Sequence, residues 1–245
     1  MKRSVKVASC QVPEVRENVD EAISWIVKYA ERAESAGARL VCFPECFLQG
    51  YLVQEELARR NAIDVTSAAF KSLLKRLAKV KPTIVFGMIE AAAGSLFNTA
   101  VVIDGGQLIG SYRKTRLLSG ESIFLPGTSY PVFDAGGLKF GINICWDTNF
   151  PETAAAIAAQ GARLIVCPAN NMMKRQNAEK WKYRHNEIRA CRAKETGLWL
   201  ISSDVTGIRG DSVALGPTCV IDPGGRVVAQ VPLMEVGMVV ELISA

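Results

Sequence analysis

Histidine is almost missing from this chain: His185 is the only one in 245 residues. Any Ser-His-Asp or Cys-His machine would have to use it. With Lys182, Arg184, Asn186 and Glu187 around it, that imidazole reads as solvent-facing. A nucleophilic enzyme made from this sequence therefore draws its base from a carboxylate or a lysine. No two cysteines have C-x-x-C spacing, and Cys42 and Cys46 have no histidine nearby to complete a zinc set. Neither a metal nor another cofactor is expected. No apolar run reaches about 18 residues, so no membrane-spanning helix is expected. The start, Met1-Lys2-Arg3-Ser4-Val5, leads into an apolar run too short for a signal peptide. Seven cysteines, an odd number, then read as free thiols in a reducing cytoplasm. Tandem repeats, low-complexity tracts and long linkers are also lacking, so residues 1–245 are expected to form one domain.

What is present is an ordinary globular mixture, 49% hydrophobic and 22% charged, enough for a core without disulfides or metals. The net charge of +5 is concentrated between Lys174 and Glu195, which hold eight Lys or Arg against three Asp or Glu. Such a stretch reads as a solvated helix face, the alternative being a basic rim that attracts an anionic substrate. No aromatic-interleaved basic patch accompanies it, so no nucleic-acid partner is expected.

Strand-like runs rich in Val and Ile cover Val5–Gln11, Leu40–Phe43, Thr83–Ile89, Ala100–Ile103, Leu108–Arg113 and Phe140–Cys145. Others follow at Leu164–Pro168, Leu198–Ser202, Thr218–Ile221, Val227–Val231 and Gly237–Leu242. Helical spacing appears in Val19, Ala22, Ile23, Ile26, Ala30 and Ala33, ended by Gly37, and again in Phe70, Leu73, Leu74 and Leu77 before Pro82. A third helix runs through Ala154–Gln160, and a fourth is the charged stretch ending near Gly197. Asp104-Gly105-Gly106 and Asp222-Pro223-Gly224-Gly225 mark two tight hairpins. Helices alternating with strands early and hairpins later predict a mixed α/β domain.

Three apolar strands each end on a reactive side chain, and strand ends are where α/β proteins assemble sites. Leu40–Phe43 leads to Glu45, the first hairpin to Lys114, and Gly141–Ile144 to Cys145. A free thiol, with a pKa near 8.5, is only a few per cent thiolate at neutral pH, so it needs a base and a cation nearby. Taken singly, each residue has a plain structural reading: a buried apolar thiol, a solvated strand end, and a basic loop shared with Arg113 and Arg116.

In this order, however, the segments resemble the nitrilase superfamily of carbon–nitrogen hydrolases. The resemblance rests on Phe43-Pro44-Glu45, Tyr112-Arg113-Lys114, Cys145-Trp146-Asp147, Phe150-Pro151-Glu152, Arg192-Ala193-Lys194-Glu195 and Asp222-Pro223-Gly224-Gly225, and spans Val5 to about Val240. It implies a four-layer α-β-β-α sandwich, a homodimer or higher homo-oligomer, and no cofactor. It also implies a Glu45–Lys114–Cys145 triad with an accessory Glu121 ahead of Phe124-Leu125-Pro126-Gly127. In that scheme Glu45 is the base, Cys145 the nucleophile that forms a thioester, and the Lys114 ammonium and Trp146 backbone N–H meet the oxyanion. Glu121 positions the substrate amide and Lys114.

The sequence departs from the family pattern at Arg116, where many relatives carry histidine, and at Gly216-Pro217-Thr218, where Gly-x-Ser is frequent. Asp147-Thr148-Asn149 lacks the paired arginines of carbamoyl-amino-acid hydrolases. The implied activity is hydrolysis of a small linear amide. A carbamoylase, a nitrilase and a catalytically silent binding protein are the alternatives. Arg116 and the basic helix are candidates for a carboxylate clamp on an acidic substrate.

Overall fold

The early alternation of strands and helices follows the periodicity of the sequence. The computed structural model describes residues 4–244, so the Met1-Lys2-Arg3 start and the final position of the expected 1–245 domain lie outside the described residues. The chain begins with β1 (Ser4–Pro13), α1 (Val19–Ser35), β2 (Leu40–Cys42), α2 (Glu55–Asn61) and α3 (Ala68–Leu77). Next come β3 (Thr83–Ala92), β4 (Ser95–Asp104), β5 (Gln107–Arg113), β6 (Val132–Ala135), β7 (Leu138–Ile142), α4 (Pro151–Ala159) and β8 (Leu164–Pro168). The remainder is β9 (Met173–Lys174), α5 (Arg175–Trp181), α6 (Arg184–Thr196), β10 (Trp199–Arg209), β11 (Ser212–Ala214), β12 (Cys219–Ile221), β13 (Val227–Gln230) and β14 (Gly237–Ser244).

Local chemistry sets the helix ends. The Asn18 side chain accepts from the Glu21 N–H at 3.1 Å and the Ser67 hydroxyl accepts from the Phe70 N–H at 3.1 Å, capping α1 and α3. Gly197, at φ 68°, ends α6 as the sequence predicts.

Strands β1, β2 and β3 run parallel, β4 and β5 extend them as an antiparallel meander, and β14 pairs with β1 on the other side. A second set joins β7, β8 and β10 in parallel, flanked by β6, β12 and β13. The two sets meet where Gln11–Pro13 of β1 pair with Asp204–Thr206 of β10. Between them lies one core, in which Val7, Leu40, Val85 and Val102 pack with Phe140, Ile142, Val166 and Ile201. The outer face of the first set packs on α1 and α3 through Ile23, Ile26, Phe70 and Leu77. That of the second packs on α4 and α6 through Ala154, Ile157 and Ala193. The result is the expected α-β-β-α order of layers.

Three departures bear on the site. The charged stretch is two helices, α5 and α6, broken at Lys182–Tyr183, rather than one. The strand expected to reach Cys145 stops at Ile142, and Cys145–Asn149 form a short 3₁₀ turn. Strand β10 runs on to Arg209 because its first half pairs with β8 and its second half with β1 and β11.

Candidate active site

Just beyond β2, the backbone is pinned by hydrogen bonds from Phe43 N–H to Val85 O (2.8 Å) and from Glu45 N–H to Ala169 O (3.2 Å). Strand β3 presses directly behind this bend. A Cβ at Gly87 would lie 2.2 Å from Cys46 N and 2.6 Å from Glu45 Cα, so only glycine lets the two backbones approach. The Glu45 side chain is buried, and both of its oxygens are occupied. Oε1 accepts from Lys114 Nζ at 2.7 Å and from Asn98 Nδ2 at 2.7 Å, and Oε2 accepts from the Asn170 N–H at 3.1 Å.

Lys114 follows β5, held by its N–H to Asn98 O at 2.8 Å and by its carbonyl, which accepts from Gly127 N–H at 2.8 Å. Gly127 packs against Arg113, whose carbonyl would sit 2.2 Å from an added Cβ. The Lys114 ammonium donates to Glu121 Oε1 at 2.9 Å as well as to Glu45. Asn98 Nδ2 also bridges both carboxylates, reaching Glu121 Oε1 at 3.0 Å, and the Leu118 N–H donates to Glu121 Oε2 at 2.7 Å. Lys114 and Glu121 are sealed from solvent, and Glu45 is nearly so. One cation therefore stands between two carboxylates. Burial works against its charge, but Glu45, Cys145 and Glu121 outweigh that and hold the ammonium above the ordinary lysine range. Burial pushes the Glu45 carboxyl up; Lys114 pulls it back, and Glu121 adds to the rise.

Cys145 begins the 3₁₀ turn with φ 44°, a left-handed backbone that non-glycine residues adopt at a cost. Its turn is tied to the lysine segment by Asp147. Asp147 Oδ2 accepts from Tyr112 Oη and Ile144 N–H, both at 2.8 Å, and Oδ1 accepts from Arg116 N–H at 2.8 Å and Thr115 Oγ1 at 3.1 Å. The Cys145 sulfur is half-buried and lies 4.0 Å from Asn171 Oδ1. Burial and the Glu45 charge raise the thiol well above its usual range, while Lys114 lowers it, so at rest the sulfur keeps its proton. Trp146 N–H falls in the first turn of the 3₁₀ segment, where backbone donors lack intrahelical acceptors.

Glu45 and Cys145 open on a common cavity of about 330 Å³. Its walls include Tyr51, Leu118 and Trp146, together with Asn177, Trp181, His185, Ile188 and Arg189 from α5 and α6. Trp146 packs edge-on against Trp181, with ring centroids 6.4 Å apart, and Trp181 stacks on His185 at 5.3 Å. The charged stretch thus contributes a wall of the cavity as well as a solvated face. His185, expected in solvent, is half-buried there; burial and the neighbouring Arg189 lower its pKa to about 3, which leaves it neutral.

The structure brings Glu45, Lys114 and Glu121 into direct contact and sets Cys145 and Trp146 on the same cavity as Glu45. Arg116 is not brought there. Its guanidinium donates to Glu152 Oε1 at 2.7 Å on the surface and lies 5.0 Å over the Phe150 ring, so its expected place as a substrate clamp is corrected. Sequence reading missed Asn98, Asp147, Asn171 and Arg189. Asn98 carried a signal, since an amide inside the apolar run Leu96–Ala100 needs a buried partner. Arg189 carried none, being one of many cations in its stretch.

A model of the carbon–nitrogen hydrolase family matches residues 6–245. An (R)-stereoselective amidase of Pseudomonas sp is 29% identical over 205 residues, covering 83% of this chain and 72% of its own length. A nitrilase of Pyrococcus abyssi is 32% identical over 230 residues, covering 92% and 84%. The crystal structure of an amidase from Nesterenkonia sp. superposes with a TM-score of 0.83 at 24% identity, covering 98% of this chain and 90% of that one, a likeness of fold.

Proposed function

We propose that this chain, which belongs to the carbon–nitrogen hydrolase family, cleaves the C–N bond of a small linear amide through a thioester on Cys145. The observation that carries the reading is the shared Glu45: one oxygen is held by Lys114 and Asn98, while the side chain opens on the same cavity as the Cys145 sulfur.

In this reading Glu45 takes the Cys145 proton as the sulfur attacks the substrate carbonyl, so the thiolate arises only when it is used. A thiol and a carboxyl both held above their usual pKa ranges by burial suit such a concerted transfer. The oxyanion is met by the Lys114 ammonium and the Trp146 N–H, and one such donor is typically worth about 3–4 kcal/mol. Glu121 keeps Lys114 charged and in place. Collapse of the tetrahedral adduct breaks the C–N bond, and Glu45 returns the proton to the departing amine or ammonia. Glu45 then deprotonates a water that attacks the thioester, releasing the acid and restoring the thiol.

The expected homodimer and cytoplasmic setting belong to the same proposal. Seven free cysteines support a reducing setting, and sedimentation of the purified chain tests the assembly. The reaction is tested by incubating the protein with short aliphatic amides, carbamoyl compounds and nitriles. Ammonia release by wild type but not by Cys145→Ala, with an acyl adduct on Cys145 in the mass spectrum, is expected for amides. Turnover confined to carbamoyl compounds or nitriles would replace the amidase reading, and turnover by Cys145→Ala would end it.

A further inference from the structure

Asp204 is a buried carboxylate that takes no part in the proton transfers of the proposed reaction. It is sealed from solvent on β10, where that strand leaves β8 and pairs with β1 opposite Gln11. Among the described residues, its oxygens meet only donors. Oδ1 accepts from Asn171 N–H at 3.0 Å and from Val205 N–H at 2.9 Å, and Oδ2 accepts from Asn171 Nδ2. Arg189 Nη2 lies 4.0 Å from Oδ2. Burial pushes the carboxyl up, while Arg189 and these bonds pull it down. A carboxyl proton would find no acceptor here, so the surroundings suit the ionised, acceptor-only form.

Two of the donors belong to Asn171, which lines the cavity and is itself buried. It follows β8 in a loop tied to its neighbours. Ala169 N–H donates to Ser203 O at 2.8 Å, Glu45 N–H donates to Ala169 O at 3.2 Å, and Asn170 N–H donates to Glu45 Oε2 at 3.1 Å. With its backbone N–H and its Nδ2 both on the carboxylate, the Asn171 side chain has its NH2 end committed. That leaves Oδ1 for Cys145, whose Sγ lies 4.0 Å away, the reach of a thiol donor. Turning the amide over would set Oδ1 against Asp204 Oδ2, two acceptors with no proton between them.

We infer that Asp204 is a positioning residue: it holds the Asn171 amide with its carbonyl on Cys145, so that the nucleophile rests as a hydrogen-bonded thiol until substrate arrives. The inference rests on Cys145 being the nucleophile of the hydrolase reading and adds the pair of residues that governs its resting state. A carbonyl beside the sulfur accepts from S–H and offers nothing to the thiolate, so it favours the neutral form. An NH2 in the same place would do the reverse.

Asp204→Asn makes that exchange. In its cheaper orientation the new carbonyl keeps the two backbone donors, Asn171 N–H and Val205 N–H, and the new NH2 faces Asn171 Nδ2. Two donors facing each other repel, so the Asn171 amide turns over, gives its carbonyl to residue 204 and presents its NH2 to the sulfur. The other groups around the sulfur are Glu45, Lys114, Tyr51, Cys167 and Arg189, with neutral His185 on the same cavity, and all of them are retained.

The test follows alkylation of Cys145 by iodoacetamide against pH without substrate, the modified thiol being identified by mass spectrometry. Asp204→Asn is expected to move the midpoint of the profile down by about one unit, the worth of one hydrogen bond to the charged form. Asn171→Ala removes the amide that responds, and in that background Asp204→Asn should move the midpoint no further. A direct effect of the lost charge, on the sulfur or through Arg189, would instead appear equally in both backgrounds. Should Asp204→Asn fail to fold, Asn171→Ala alone decides: losing the acceptor should lower the midpoint, and an unchanged or raised midpoint would overturn the inference. Equal shifts in both backgrounds, or none in either, would overturn the role of Asp204 and leave the hydrolase intact. Failure of every amide to acylate Cys145 would remove the hydrolase reading, and with it the nucleophile that this pair serves.

Discussion

Replacing Glu121 by glutamine preserves the shape of the side chain and removes its charge. The native carboxylate accepts from three donors: Lys114 Nζ at 2.9 Å, Asn98 Nδ2 at 3.0 Å and Leu118 N–H at 2.7 Å. A glutamine cannot serve all three, because its NH2 must face a donor on one side. The cheaper orientation keeps the carbonyl on Lys114 and Asn98 and turns the NH2 towards Leu118. One buried backbone N–H then loses its acceptor, at about 1–3 kcal/mol. The Lys114–Glu121 attraction at 2.9 Å is also lost, about 6 kcal/mol at an effective dielectric of about 20, and relief from carboxylate burial offsets much of it. The expected net destabilisation is about 3–5 kcal/mol, the range for breaking a buried pair. Urea unfolding followed by circular dichroism measures it, and ammonia release under folding conditions should fall about tenfold or more as Lys114 loses its second anchor, a change of about 1.4 kcal/mol in the barrier. A variant within about 1 kcal/mol of wild type and with unaltered turnover would refute the picture of one lysine held between two charged carboxylates.

Gly87→Ala should act on Glu45 from behind, since the new methyl would meet the Glu45–Cys46 backbone; a loss of about 1–3 kcal/mol in thermal unfolding and a sharp fall in turnover are expected. His185 should make wild-type stability depend on acid. Its folded pKa, about 3, lies below the unfolded value of about 6.5, so between these limits the unfolded chain binds the extra proton and stability falls by about 1.4 kcal/mol per unit as pH drops. That slope, read from unfolding midpoints across the window, should be missing in His185→Gln. Arg116→Ala breaks a surface pair with Glu152, so a cost below about 1 kcal/mol and an unchanged ratio of acid to neutral amide turnover are expected. A changed ratio would return Arg116 to the cavity.

Glu45, Lys114 and Cys145 stood out as side chains at the ends of apolar runs, and the family resemblance joined them and added Glu121. An apolar run that ends on Glu45, Lys114 or Cys145 has a fixed exit, and several such exits converge where parallel strands finish. The hairpins at Asp104-Gly105 and Asp222-Pro223 were legible for the same local reason, turn chemistry. The wall from α5 and α6 was not. A stretch rich in Lys and Arg has the composition of a solvated helix, and nothing local shows that Trp181, His185 and Arg189 face inward while their neighbours face out. That choice depends on the break at Lys182–Tyr183 and on the packing of α6 against β10 and β12, which are long-range matters. Arg116 erred in the opposite sense: it is next to the catalytic candidates in sequence, yet the Asp147 link turns its backbone inward and leaves its side chain outside. The expected activation of the Cys145 thiol by a nearby cation was also incomplete, because burial and Glu45 outweigh Lys114 until a proton can move.

The carboxylates and the lysine are contributed by the first half of the chain, the sulfur follows just after it, and one wall of the cavity comes from a pair of consecutive helices, α5 and α6. On the proposed mechanism, grafting residues 175–196 from a relative would alter one wall of the cavity while Glu45, Lys114, Glu121 and Cys145 stay in place.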